Sequence, residues 1–180
     1  YFHSHDGGSF DNVSTGWYID DISIETGEPI FHNPETWESG IGDWNAESGT
    51  WEVGEPTAGP NSAYTGQQCA ATVLKGNYAT TVDSRLISPS FNVPSANQYP
   101  RLRFWHWYSF STADYGKVQI KPEGSEDWID ISAQYIRTGS KTWSYPSIDL
   151  SDYAGQSVQL ALYFHSHDGG SFDNVSTGWY

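Results

Sequence analysis

Residues Tyr1–Tyr18 read YFHSHDGGSFDNVSTGWY, and residues Tyr163–Tyr180 read the same string without a change. Chance does not produce an exact repeat of that length, so the sequence is read as one period of a tandem array followed by the start of the next copy. The 180 residues then resolve into a period of 162 and an overlap of 18. One period suffices for a single domain that buries about two-thirds of its unfolded surface.

The repeat also constrains what closes the fold. If Tyr163–Tyr180 ends one copy, the residues that come after the same string at the front, Ile19-Asp20-Asp21-Ile22-Ser23-Ile24, spell the next strand. Residues 1–24 are therefore expected to be closing strands of a preceding unit, 25–36 an interdomain linker, and 37–180 a domain lacking its last strand. Two prolines, a glycine and no alternation mark the linker. A sandwich without its last strand exposes an apolar groove and unpaired backbone, which is costly. Residues 1–24 are expected to fill such a groove in a neighbouring copy, or in their own copy as a permuted strand.

The rest of the chain reads as β structure. Val158, Leu160, Leu162 and Phe164 alternate with Gln159, Ala161 and Tyr163, the period of a strand with one buried face. Val118 and Ile120 are expected to face inward, as are Ile129 and Ile131. The run from Leu102 to Trp107 is apolar on nearly both faces, as in a central strand with an aromatic outer side. Further strands are expected at Thr15–Ile24, Thr50–Val53, Ala70–Leu74, Arg85–Val93 and Thr142–Ile148. Leu150 to Gly155 reads as one helical turn capped by Ser151. Nine Trp, 12 Tyr and 18 Gly suit strands and turns. The fold class is thus all-β, a two-sheet antiparallel β-sandwich of jelly-roll type.

Composition excludes several functions. With 8 Lys+Arg against 22 Asp+Glu, the chain is a poor partner for nucleic acid and for an anionic membrane surface. No apolar run approaches the roughly 20 residues of a membrane span. A single cysteine, Cys69, forms no internal disulfide and is read as a small buried hydrophobe. No nucleophile elbow, HExxH or phosphate loop is present, so no enzyme is expected.

Four motifs carry a resemblance: Leu86-Ile87-Ser88-Pro89; Leu102-Arg103-Phe104-Trp105-His106-Trp107-Tyr108; Asp149-Leu150-Ser151-Asp152-Tyr153-Ala154-Gly155-Gln156; and Gly16-Trp17-Tyr18-Ile19-Asp20-Asp21-Ile22. Together they resemble the MAM-like jelly-roll domain that accompanies secreted bacterial proteins, including metallopeptidases of the immune-inhibitor-A type. The resemblance covers nearly the full period if the closing strand comes from the neighbouring copy. It implies a non-catalytic sandwich, often with a structural calcium ion, and it would place a ligand early in the domain, at Glu38 with Asp43 beside it.

The Asp20-Asp21 pair is the metal candidate read from the residues. Successive strand residues point to opposite faces, so only one carboxylate can enter the core side. A buried carboxylate needs a cation or several donors; calcium suits it, and so does a turn in which Asp21 accepts backbone hydrogen bonds. His3-Ser4-His5-Asp6 and its copy His165-Ser166-His167-Asp168 lack the four ligands of a closed transition-metal site and read as polar residues where a strand enters a loop. Asn12-Val13-Ser14 and its copy at Asn174 form a glycosylation sequon. Trp105, Trp107, Tyr108, Trp128 and Trp143 are either core aromatics or a platform on which sugar rings stack. The expected function is a non-catalytic structural repeat module of a large secreted or cell-surface protein. It would assemble with neighbouring copies through residues 1–24, head to tail, into an extended array or filament stabilised by calcium. The alternative is a carbohydrate-binding or adhesin module.

Overall fold

In a computed structural model the chain is described over residues 18–20, 22–24, 26–137, 141–167 and 175–180. Thirteen strands form among them: β1 Asn45–Glu47, β2 Glu52–Gly54, β3 Cys69–Ala71, β4 Val82–Ile87, β5 Phe91–Asn92, β6 Arg101–Arg103, β7 Tyr108–Ser109, β8 Tyr115–Pro122, β9 Ile129–Asp130, β10 Tyr135–Ile136, β11 Ser147–Asp149, β12 Ser157–Ser166 and β13 Gly178–Trp179. The described helical segments are two 3-10 turns, Ala96–Gln98 and Ser151–Tyr153. The architecture is an antiparallel β-sandwich consistent with a jelly roll.

One layer is a seven-stranded sheet in the order β1-β4-β12-β8-β10, with β5 and β9 pairing the remaining lengths of β12 and β8. Its register follows the apolar period of two. Leu162 stands opposite both Leu86 and Val118, and Leu160 opposite Ile120. The side chains of Leu86, Val118, Ile120, Val158, Leu160 and Phe164 are buried on the inner face. The second layer is broken into three two-stranded pieces, β11–β6, β13–β7 and β2–β3. Trp51, Ala70, Ile148 and Trp179 from this side complete the core cluster.

Aromatic packing fills the space between layers. Phe164 lies edge-on to Tyr78 at 4.9 Å and stacked on Phe110 at 5.7 Å. Aromatic pairs at such separations contribute beyond their buried area. Tyr78 donates its hydroxyl hydrogen to the buried Asp114 at 2.5 Å, and the second Asp114 oxygen accepts the His167 backbone N–H. Burial and this bond push the Tyr78 phenol above its ordinary range.

Several expectations change in detail. The strand expected over Arg85–Val93 is interrupted at Ser88-Pro89, because proline cannot donate to the ladder. Ile129 is 43 % exposed rather than inward, since β9 is a two-residue edge piece. Ser151 does not cap its turn; the Asp149 carboxylate does so by accepting the Ser151 N–H at 2.9 Å. The described residues among 18–24 form no strand, and Ile19, Ile22 and Ile24 stand exposed. Within the expected linker, Phe31 stacks on Phe91 at 4.3 Å and the Ile30 N–H donates to Asp43, so its later part packs onto the sandwich.

Candidate functional site

The site arises from how β6 is paired. On one side it meets β11, with Leu102 opposite Ile148, and the ladder continues as two hydrogen bonds between His106 and Ser144. In an antiparallel ladder the residues between such bonded pairs turn their N–H and C=O the other way. Arg101, Arg103 and Trp105 therefore point their backbone polar groups to the opposite edge. One step along, Trp107 uses that same edge to exchange both bonds with Tyr180, beside β13. The line of β13 thus runs directly onto the edge of β6 that no other strand pairs among the described residues.

Along that edge lies a cleft of about 460 Å³. Leu102, Phe104 and His106 form one wall, Phe31, Trp37 and Trp44 another, and Trp51, Ala70, Leu160, Leu162 and Trp179 the base. The indole nitrogens of Trp44 and Trp51 are buried without a hydrogen-bond partner among the described residues. A buried unpaired donor costs about 1–3 kcal/mol, so such groups mark a place where an acceptor is wanted. His106 is 3 % exposed, and burial pushes its imidazole down to about 4. Its Nδ1 accepts the Trp179 indole N–H at 3.3 Å, which fixes the neutral tautomer with the proton on Nε2.

On the outer side of the same strands the register His106–Ser144 sets Trp105 beside Tyr145. Their rings stack at 4.7 Å; Tyr64 covers the other face of Trp105 at 3.7 Å, and Arg103 covers Tyr145 at 4.0 Å. The ladder Arg103–Tyr145–Trp105–Tyr64 therefore presents ring edges, since most of its faces are already stacked. Trp143 meets Tyr64 edge-on at 6.1 Å and lines a second, polar cleft of about 610 Å³ with Asn61, Ser62, Lys141 and Thr142. Tyr64 and Tyr145 are not legible in the sequence as site residues: Tyr64 sits in a loop without periodicity, and Tyr145 joins Trp105 only through the cross-strand register.

The remaining aromatic candidates are placed differently. Trp107 is buried, packed edge-on against Tyr180, and lines the polar cleft beside Trp143. Tyr108 is half-buried, stacked on Phe110 at 5.5 Å. Trp128 lies on the other sheet beneath Lys121 at 4.9 Å and Arg85 at 5.8 Å. The structure therefore does not gather the five aromatics into one platform; Trp105, Trp107 and Trp143 share a region, and Tyr108 and Trp128 lie apart from it. His165 is half-buried on β12, where its Nδ1 lies 2.8 Å from Asp83 and its ring stacks on Tyr115. Hydrogen bonds from Tyr163 and His165 hold the Asp83 carboxyl below its usual range. Burial pushes the Cys69 thiol up to about 11, as expected of an inert core cysteine.

Of the expected calcium ligands, Glu38 Oε1 accepts the backbone N–H groups of Gln67 and Gln68 at 3.0 and 2.9 Å, and Asp43 Oδ2 accepts that of Ile30 at 2.7 Å. Asp20 is exposed. Asp21 lies outside the described residues, as do His3, His5, Asp6, Asn12, Asp168 and Asn174. Among the described residues no three His, Cys, Asp or Glu side chains gather.

The fold and this open edge define an all-β sandwich module. No family model matches the chain. It is 34 % identical over 150 residues to Bacillopeptidase F of Bacillus subtilis (strain 168), a match that takes in 81 % of this chain and 10 % of that protein. The chain thus spans about a tenth of the length of the curated relative it matches. Among solved structures it is similar to TmCBM61 in complex with beta-1,4-galactotriose, with a TM-score of 0.55 and 12 % identity over 86 % of this chain and 99 % of that one. At that identity the likeness is one of fold.

Proposed function

We propose that the chain is a non-catalytic, MAM-like structural module of an extracellular protein, used in consecutive copies that join head to tail into an extended array. One observation carries this reading: the 18-residue string that ends in the core at Trp179 and Tyr180 recurs at the front, where an exposed apolar segment comes after it. Stability in such an array is approximately a sum of units and their interfaces. The acidic composition suits an extracellular setting, and among the described residues no helix is long and apolar enough to cross a membrane. The partial match to a peptidase supports a module that accompanies a larger protein. A polypeptide holding two consecutive periods should unfold at a higher temperature than this chain, because the junction completes one unit. Equal melting temperatures for the two would overturn the reading.

A second reading, glycan binding, is favoured by Trp143, whose ring borders the polar cleft of Asn61, Ser62, Lys141 and Thr142. It predicts saccharide binding that Trp143→Ala abolishes and Trp128→Ala leaves intact. Calcium at Asp21 and Glu38 is a proposal of the same kind; the hard oxygen donors support it, and the backbone bonds already made by Glu38 Oε1 limit what that side chain has left to give.

A further inference from the structure

We infer that the open edge of β6 is an acceptor for residues Ile19–Ile24 of a second copy, in one defined register; this rests on the array reading and names its junction. The ladder gives the register. Trp107 bonds Tyr180 and Tyr108 stands opposite Trp179. In the repeated string Tyr18 corresponds to Tyr180, so the next residues in antiparallel order place Ile19 opposite His106, Asp20 opposite Trp105, Ile22 opposite Arg103 and Ile24 opposite Arg101.

Three features fit that placement. The backbone groups of Arg101, Arg103 and Trp105 face the cleft, and the proposed pairs at Asp20, Ile22 and Ile24 are those that would bond them. The cleft is apolar and holds the indole donors of Trp44 and Trp51, toward which the same register brings the Ser23 hydroxyl and the strand's own carbonyls. Two of the chain's 8 Lys+Arg, Arg101 and Arg103, line this edge, and Asp20 lands diagonally from Arg103. The same register keeps Ile22 and Ile24 on the outer face beside Arg103 and Arg101, and turns Asp21 and Ser23 toward the cleft. The added strand would also run between β6 and β3, drawing separate two-stranded pieces of the second layer into one sheet.

Cysteine crosslinking of the full chain tests the register, in a Cys69→Ala background. Asp20→Cys with Trp105→Cys places two Cα atoms about 5.5 Å apart, within disulfide range. Asp20→Cys with Arg101→Cys separates them by four residues along the strand, roughly 13 Å, and is out of range. Oxidation should convert the first variant into a ladder of covalent multimers and leave the second monomeric, with reduction collapsing the ladder. Equal crosslinking of both, or of neither, overturns the register. An intramolecular disulfide in the first variant overturns the second-copy occupant in favour of a permuted strand. These outcomes are separate from failure of the array reading, which the two-period melting comparison decides.

Discussion

His106 makes the stability of the sandwich fall with acidity in a range where carboxylates contribute little. Its imidazole is buried, its Nδ1 accepts the Trp179 N–H, and its folded pKa is pushed down from 6.5 to about 4. The neutral form is the one the fold holds. Above 6.5 both folded and unfolded chains carry a neutral ring and nothing is lost. As pH falls below 6.5 the unfolded ring takes up a proton that the folded ring refuses, and stability drops until the pH passes about 4. At pH 5 the two pKa values imply a loss of about 2 kcal/mol, or roughly 4–8 °C in melting temperature. His106→Gln keeps an acceptor for the indole and removes the titration. Urea unfolding at about pH 7 and pH 5 should therefore show wild type losing about 2 kcal/mol more than the variant. The other histidines are common to both proteins and cancel in the difference. Parallel losses in the two proteins would refute the argument that burial holds this ring neutral.

Three further outcomes rest on the packing and the expected metal. Phe164→Ala should cost about 3–5 kcal/mol in denaturant unfolding, because its ring is fully buried against Tyr78 and Phe110, whereas Ile129→Ala should stay within about 0.5 kcal/mol. Gly178→Ala would bring a Cβ to 2.2 Å from Thr72 Oγ1 at φ +98°, while Gly76→Ala meets nothing within 4 Å at φ +85°. The first should therefore be the more destabilising by about 1–3 kcal/mol, and equal costs would show that Thr72 yields freely. In the calcium reading, chelation lowers the melting temperature by several degrees and Asp21→Asn removes that response; an unchanged melting temperature on chelation ends the metal claim.

The strands that form the large sheet are legible in the sequence because one face of each is buried: Val158, Leu160 and Phe164 alternate along the chain and bury together in space. The aromatic region is legible only as a set of candidates. Trp105 and Trp107, two residues apart, share a face, and Trp107 is buried there because Tyr180 and Trp143 pack over it, a contact between distant segments that residue type does not encode. Short edge pieces such as β9 escape for a related reason: with two residues there is too little period to separate an inward from an outward isoleucine.

By itself the sequence determined the material of the fold: a period of two that makes one-sided strands, an 18-residue string that stands both at Tyr1–Tyr18 and at Tyr163–Tyr180, and an acidic balance of 22 Asp+Glu against 8 Lys+Arg. The tertiary structure decided the rest. Only the ladder shows that β6 keeps one edge unpaired among the described residues, that Tyr180 closes on Trp107 in line with it, and that Tyr64 and Tyr145 clasp Trp105. Hydrogen-bond register and cross-strand contact join residues far apart in the chain, and no local pattern of side chains specifies them.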